Sequence, residues 1–241
     1  FANAHVMWNQ LYTGYSEKAN SAYVATATDT ITTIQDQTSA SFYRIDRTTT
    51  RVDSAVLNEG LALGYNQLSS YSSANNPQAI ALLNSLGYSS VGEFSTRYAE
   101  PILAVDALLG VKYAIAEHAP SGYAAMTEIA DTASAVYENP YALSVGVMTS
   151  NDIQNCTLKG ENPFEKQNDL YSKILGREVM LYTKIEAKNT EDDENLRQWN
   201  ATVPSGSIGY LYINKDATAG SYWPVTLTID HDRKRGLEIR Q

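Results

Sequence analysis

The sequence predicts an α+β protein: a mixed α/β amino-terminal part, about residues 1–160, followed by a β-rich, sandwich-like part, about residues 161–241. Three observations carry that expectation. Val24, Ala27, Ile31 and Ile34 recur at helical spacings of three and four, with polar residues between them. Two Asn-Pro pairs, Asn76-Pro77 and Asn162-Pro163, each precede an apolar helical run that a glycine closes. Beyond Gly176 the apolar residues come instead in short runs between loops rich in charge, Gly and Ser.

Taken in order, the region around Val24–Ile34 reads as an amphipathic helix, and "SFYRID" at 41–46 as a strand. "NEGLALGYNQLSSYSSANNP", residues 58–77, sustains neither helical nor strand periodicity. A helix follows, capped by Asn76, opened by Pro77, carried by Ile80, Leu83 and Leu86 and stopped by Gly87. "SSVGEF" offers Ser90 and Glu93 as a capping box and a second helix start. From Ile102 to Ser150 the pattern is mainly strand: "LLGVKYAIAE", "YAAMTEIA", "ASAVYEN" and "YALSVGVM", with a turn at Asn139-Pro140. The helix after Asn162 has Glu165 to complete its box and Leu170, Tyr171, Ile174 and Leu175 as its apolar face. "REVMLYTKIEA", "GSIGYLYIN", "YWPVTLTID" and "RGLEIRQ" are the strands expected beyond it.

Composition narrows the function classes. A chain of 241 residues with 43% hydrophobic and 19% charged residues is long and apolar enough for a real core. The net charge of −9, without a basic stripe, excludes a nucleic-acid partner. The single cysteine, Cys156, excludes an internal disulfide and a thiolate zinc site. The apolar run "PILAVDALLGVKYAIA" at 101–116 is too short to span a bilayer and contains Asp106 and Lys112. Phe1-Ala2-Asn3 has no charged leader, and the chain reads as excised from something longer. There are 17 Tyr against 4 Phe, a bias that suits either a wet, polar-ligand surface or amphipathic strands.

No complete catalytic constellation stands out, and no cofactor is expected. "DHD" at 230–232 is the most metal-like cluster, but strand neighbours point to opposite faces, so a solvated strand end accounts for it. His5, His118 and His231 lie in no nucleophile motif. Glu59, Glu93, Glu100 and Asp106 are carboxylates whose mutual separation the sequence does not give. The acidic run "TEDDEN" at 190–195 reads as a solvated loop tip. Arg44, Arg47 and Arg51 form a basic set able to fork onto carboxylate or phosphate, or to pair with Asp46, Asp53 or Glu59. In residues 58–77, Asn58, Tyr65, Asn66, Gln67, Tyr71 and Asn75 supply amides and phenols. These suit sugar hydroxyls and ring faces, and equally suit the backbone groups of a packed irregular segment. The candidate ligand-binding residues are therefore Arg44, Arg47, Asn58, Tyr65, Asn66, Tyr71 and Asn75.

The succession "SFYRIDRTT", "NEGLALGYNQLSSYSSANN", "LLNSLGY", "DALLGVKYAIA", "YENPYALSVGVM" and "NPFEKQNDLYSKILG" resembles the extracytoplasmic part of the YfhO family of bacterial multi-spanning membrane proteins. The resemblance runs over about residues 40–176 and rests on the order of six segments rather than on one motif. It implies a parent protein similar to GT-C-type glycosyltransferases, which decorate envelope polymers such as lipoteichoic acid in Gram-positive bacteria. The catalytic acid of that class is expected on an early loop between membrane helices, so no catalytic residue is carried over. The resemblance implies a domain at the cell membrane, on its extracytoplasmic side, whose partners are a glycan or anionic envelope polymer and the transmembrane part of the same chain. The alternative is a purely structural or protein-interaction ectodomain, whose signature is tyrosines buried with their hydroxyls paired.

Overall fold

The computed structural model describes residues 17–48, 58–131, 134–154, 156–192 and 197–212. Helix α1 (Glu17–Gln37) turns Ala27, Ile31 and Ile34 into the core and leaves Val24 exposed. After it comes β1 (Arg44–Arg47), the edge of a four-stranded sheet ordered β1-β5-β7-β6 with β5 (Val111–Ala116), β6 (Ala124–Asp131) and β7 (Ser134–Glu138). β1 runs parallel to β5, and the other two pairings are antiparallel. A parallel neighbour needs a long crossover. Here that crossover contains α2 (Glu59–Leu63), β2 (Ser70–Tyr71), α3 (Pro77–Ser85), β3 (Ser89–Val91), β4 (Ser95–Arg97) and α4 (Leu103–Leu108). Its three short strands form a second sheet ordered β2-β4-β3.

β5 is buried on both faces because helices cover the sheet from both sides. Tyr113 and Ile115 join Ile31, Ile34, Ile45 and Val136 beneath α1. Val111 and Ala114 face the other way and join Leu86, Tyr88, Tyr98, Val105 and Leu170. Leu170 belongs to α5 (Pro163–Leu175), so this helix packs on the amino-terminal core. Gln167 fastens it by donating to the Leu86 carbonyl at 2.9 Å.

The class is α+β, and both Asn-Pro helix starts form as the sequence predicts. Asn76 accepts from the backbone N–H groups of Gln78 and Ala79, and Asn162 accepts from Glu165 N at 3.0 Å. Glu165 completes its side of the cap one residue further out, on the Glu161 N–H.

Several expected elements differ. "SSVGEF" is a hairpin rather than a helix start: Val91 pairs with Ser95 across Gly92-Glu93-Phe94, and Gly92 takes the left-handed conformation at φ 59°. The region expected to be mainly strand from Ile102 begins with α4, whose own Asp106 carboxylate caps the Ile102 N–H at 3.0 Å. "YALSVGVM" makes no strand, because Leu143 N binds the Ala107 carbonyl and Ser150 N the Ile174 carbonyl, which fasten it to α4 and α5. The segment 58–77, read as aperiodic, holds α2 and β2.

Beyond Gly176, the described residues form one antiparallel hairpin, β8 (Lys188–Asp192) with β9 (Arg197–Asn200). The expected strand at 177–187 is replaced by side-chain docking. Leu181 N and Tyr182 N both donate to Asn168 Oδ1, at 2.8 and 3.0 Å, and Tyr182 packs against Phe164 and Tyr210. Residues 206–212 likewise form no strand. Thr190, Glu191 and Asp192 of the acidic run lie in β8 rather than in a loop tip. "YWPVTLTID", "RGLEIRQ", "DHD", His5, Arg51 and Asp53 lie outside the described residues.

Candidate functional site

Among the described residues three carboxylates enter the core, and each is surrounded by donors from distant parts of the chain. Asp46 sits on β1 with 1% of its surface exposed. It accepts from Ser69 Oγ at 2.7 Å, from the backbone N–H groups of Leu68 and Ser69 at 2.6 and 3.1 Å, and from Arg47 N at 3.1 Å. Burial outweighs these donors and pushes its carboxyl up to about 6.

Asp106, on α4, is wholly buried and collects three phenols. Tyr98 donates to Oδ2 at 2.8 Å, Tyr88 donates to Oδ1, and Tyr123 donates to Oδ2. Burial again dominates and pushes this carboxyl up to about 7, against the lowering effect of the hydroxyls. The Tyr88 and Tyr98 rings stack with centroids 5.8 Å apart, and burial beside Asp106 raises both phenols well above their ordinary range. The two acid clusters connect through one residue: Tyr98 N donates to Ser69 Oγ at 3.1 Å, while Tyr98 Oη serves Asp106.

The third carboxylate, Glu59 of α2, meets Arg47 Nε at 3.2 Å, with both side chains buried. Tyr65 donates to Glu59 Oε1 at 3.0 Å and Tyr23 to Oε2, while the Arg47 guanidinium lies over the Tyr23 ring at 5.8 Å. Of the sequence-predicted residues, Arg47 and Tyr65 thus meet inside this cluster. Arg44 lies elsewhere: its guanidinium stacks over Phe42 at 5.0 Å and donates to the Leu109 carbonyl.

The predicted amides are bound to backbone. Asn58, at φ 68°, donates to the Tyr71 carbonyl and accepts from the Tyr71 N–H, both at 2.9 Å. Asn66 donates to the Tyr43 carbonyl at 3.3 Å and Asn75 to the Phe94 carbonyl at 2.6 Å. Tyr71 itself is 54% exposed and projects from the edge that Asn58 clamps. Gln67 also turns inward, toward the Gly60 N–H and the Ser69 carbonyl.

Asp46, Ser69 and the three tyrosines on Asp106 escaped the sequence reading as a group. A signal was present for Asp106, a single carboxylate inside the otherwise apolar run at 102–109, where a partner is obligatory; Asp46, between Arg44 and Arg47, carried no such signal. Among the described residues no group of three His, Cys, Asp or Glu side chains is placed to hold a metal ion. His118 is exposed beyond β5. Chemically, the three carboxylates act as acceptors for the fold's own hydroxyl, amide and guanidinium donors.

Among the described residues no helix is long and apolar enough to cross a membrane. The profile of the family described as bacterial membrane protein YfhO matches residues 1–233. No curated protein and no solved structure matches the chain.

Proposed function

We propose, from the premise that this chain belongs to the family of bacterial membrane protein YfhO, that it is an extracytoplasmic, non-catalytic domain of a glycosyltransferase-like membrane protein. Its role is to hold a glycan or related envelope polymer, such as lipoteichoic acid, for modification by the membrane-embedded part. The observation that carries this reading is the presentation of Tyr71. An exposed aromatic ring on a backbone fixed by a two-way amide clamp from Asn58 offers a face for a sugar ring with the main chain beneath it already ordered. Asn66 and Asn75, fixed on the Tyr43 and Phe94 carbonyls, and the Arg44 side chain complete the candidate set outside the buried cluster. The non-catalytic character is supported by the three buried carboxylates, whose oxygens are already taken up by internal donors.

Calorimetry of the chain with purified teichoic-acid polymer tests the reading. Binding that weakens in Tyr71→Ala and in Arg44→Ala is the expected result. Equal heats in both variants reject this set of residues.

A second reading, a purely structural ectodomain, is favoured by a different observation: Tyr88, Tyr98 and Tyr65 direct their hydroxyls at buried carboxylates, and Tyr113 meets Thr38 Oγ1 at 2.8 Å. Absence of heat with every envelope glycan tried selects that reading.

A further inference from the structure

The run from Asn139 to Asn151 contains no charged residue, in a chain of net charge −9. It is pinned at both ends, by Leu143 N on the Ala107 carbonyl and by Ser150 on α5, where its N–H meets the Ile174 carbonyl and its Oγ the Lys173 carbonyl at 2.7 Å. Along this run the apolar side chains are turned outward. Tyr141 is 62% exposed, Val145 71% and Met148 99%, with Leu143 and Val147 also exposed. Beside them an open cleft of about 440 Å³ runs between Tyr141, Leu143 and Tyr171. A contiguous uncharged apolar strip on an acidic protein marks an interaction face rather than a solvated one.

We propose that this 141–148 strip, with the adjoining cleft, docks onto the surface of a lipid bilayer. The inference rests on the membrane-domain reading above, and it adds the face that meets the membrane. Two features select lipid as the occupant. The chain belongs to a family of membrane proteins, so a bilayer is its standing neighbour. The strip also combines aliphatic side chains with a tyrosine that has both an apolar ring and a polar tip, a mixture suited to the boundary between headgroups and acyl chains. Because the strip carries no cation and the chain is acidic, neutral headgroups are favoured over anionic ones.

The test is flotation of the 241-residue chain with vesicles of phosphatidylcholine, and separately with phosphatidylglycerol, at low and high salt. Expected are binding to phosphatidylcholine that salt does not weaken, poorer binding to phosphatidylglycerol at low salt, and a loss of about tenfold in a Val145→Asp/Met148→Asp variant. A Val24→Asp variant, altered at an exposed position on α1, should float like the parent chain. Equal flotation of the double variant and the parent overturns the proposal, as does a parent chain that floats with neither lipid. Concentration-dependent dimerisation abolished by the same double variant, without flotation, overturns it and assigns the strip to a second copy. Sidedness is read separately, by labelling Cys156 of the full-length protein in intact cells with a membrane-impermeant maleimide. Labelling only after the cells are permeabilised counts against the extracytoplasmic reading while leaving the vesicle result standing.

Discussion

The hydroxyl of Tyr98 lies 2.8 Å from Oδ2 of Asp106, and both residues are 1% exposed or less. This contact joins the small sheet's last strand to α4, and through Tyr98 N and Ser69 Oγ it reaches Asp46 on β1. Removing the hydroxyl leaves the ring stacked on Tyr88 but deprives a buried carboxylate of a donor. Tyr98→Phe is expected to lower unfolding stability by about 1–3 kcal/mol. A urea midpoint equal to that of the parent would show that Tyr88 and Tyr123 alone suffice.

The acid clusters give stability a definite pH dependence. Asp106 is pushed up to about 7 and Asp46 to about 6, both above the ordinary 3.8 of the unfolded chain. The folded state therefore holds protons that the unfolded state releases. That contribution is fully present below the unfolded value and is lost as pH rises through the folded values. Stability should fall between about pH 4 and pH 8, by an amount on the order of a few kcal/mol. Asp106→Asn should flatten the profile, leaving the share of Asp46. Denaturant titrations across that window decide the sign; stability that climbs with pH would mean the donors outweigh burial.

Arg47 and Glu59 form the buried ion pair. Truncating one partner strands the other charge in the core, so Arg47→Met should cost about 3–5 kcal/mol. Combining it with Glu59→Gln should recover a large part of that loss. A double-mutant cycle measures the coupling, and additive losses would contradict the pairing.

The helix caps offer a local comparison. Asn162→Ala removes the acceptor for Glu165 N and should destabilise by about 1 kcal/mol. Ser90→Ala, at a site that resembles a cap in sequence but lies in a hairpin, loses only an exposed hydrogen bond from Asn84 Nδ2 and should stay within about 0.5 kcal/mol of the parent. Thermal melts of the two variants separate these outcomes.

Tyr71→Ala separates binding from folding. The ring is exposed, so the variant should unfold within about 0.5 kcal/mol of the parent chain while losing polymer binding. A large loss of stability would instead make Tyr71 a packing residue.

Local chemistry made much of this fold legible. Asn76-Pro77 and Asn162-Pro163 begin helices because a cap and a first-turn proline act within four residues of one another. The spacing of Ala27, Ile31 and Ile34 specifies the buried face of α1 for the same reason. The failures also share a cause. "REVMLYTKIEA" has strand-like composition, yet Asn168 on α5 binds its backbone and no partner strand among the described residues does. "SSVGEF" has a cap's residues, but the pairing of Val91 with Ser95 claims them for a hairpin.

The candidate site was less legible than the fold. Asn58, Asn66 and Asn75 have the side chains of a sugar site, and only their placement shows that each already binds backbone. The sequence by itself determined the α+β class, the absence of a basic or disulfide-bonded character, and the positions of the well-capped helices, because these depend on composition and near neighbours. Tertiary structure alone decided that three carboxylates lie in the core, each with a tyrosine or serine hydroxyl among its donors, and that an uncharged strip faces outward. The donors to Asp46, Asp106 and Glu59 come from as far as 36 residues away, and burial is a property of the closed chain rather than of any stretch of it.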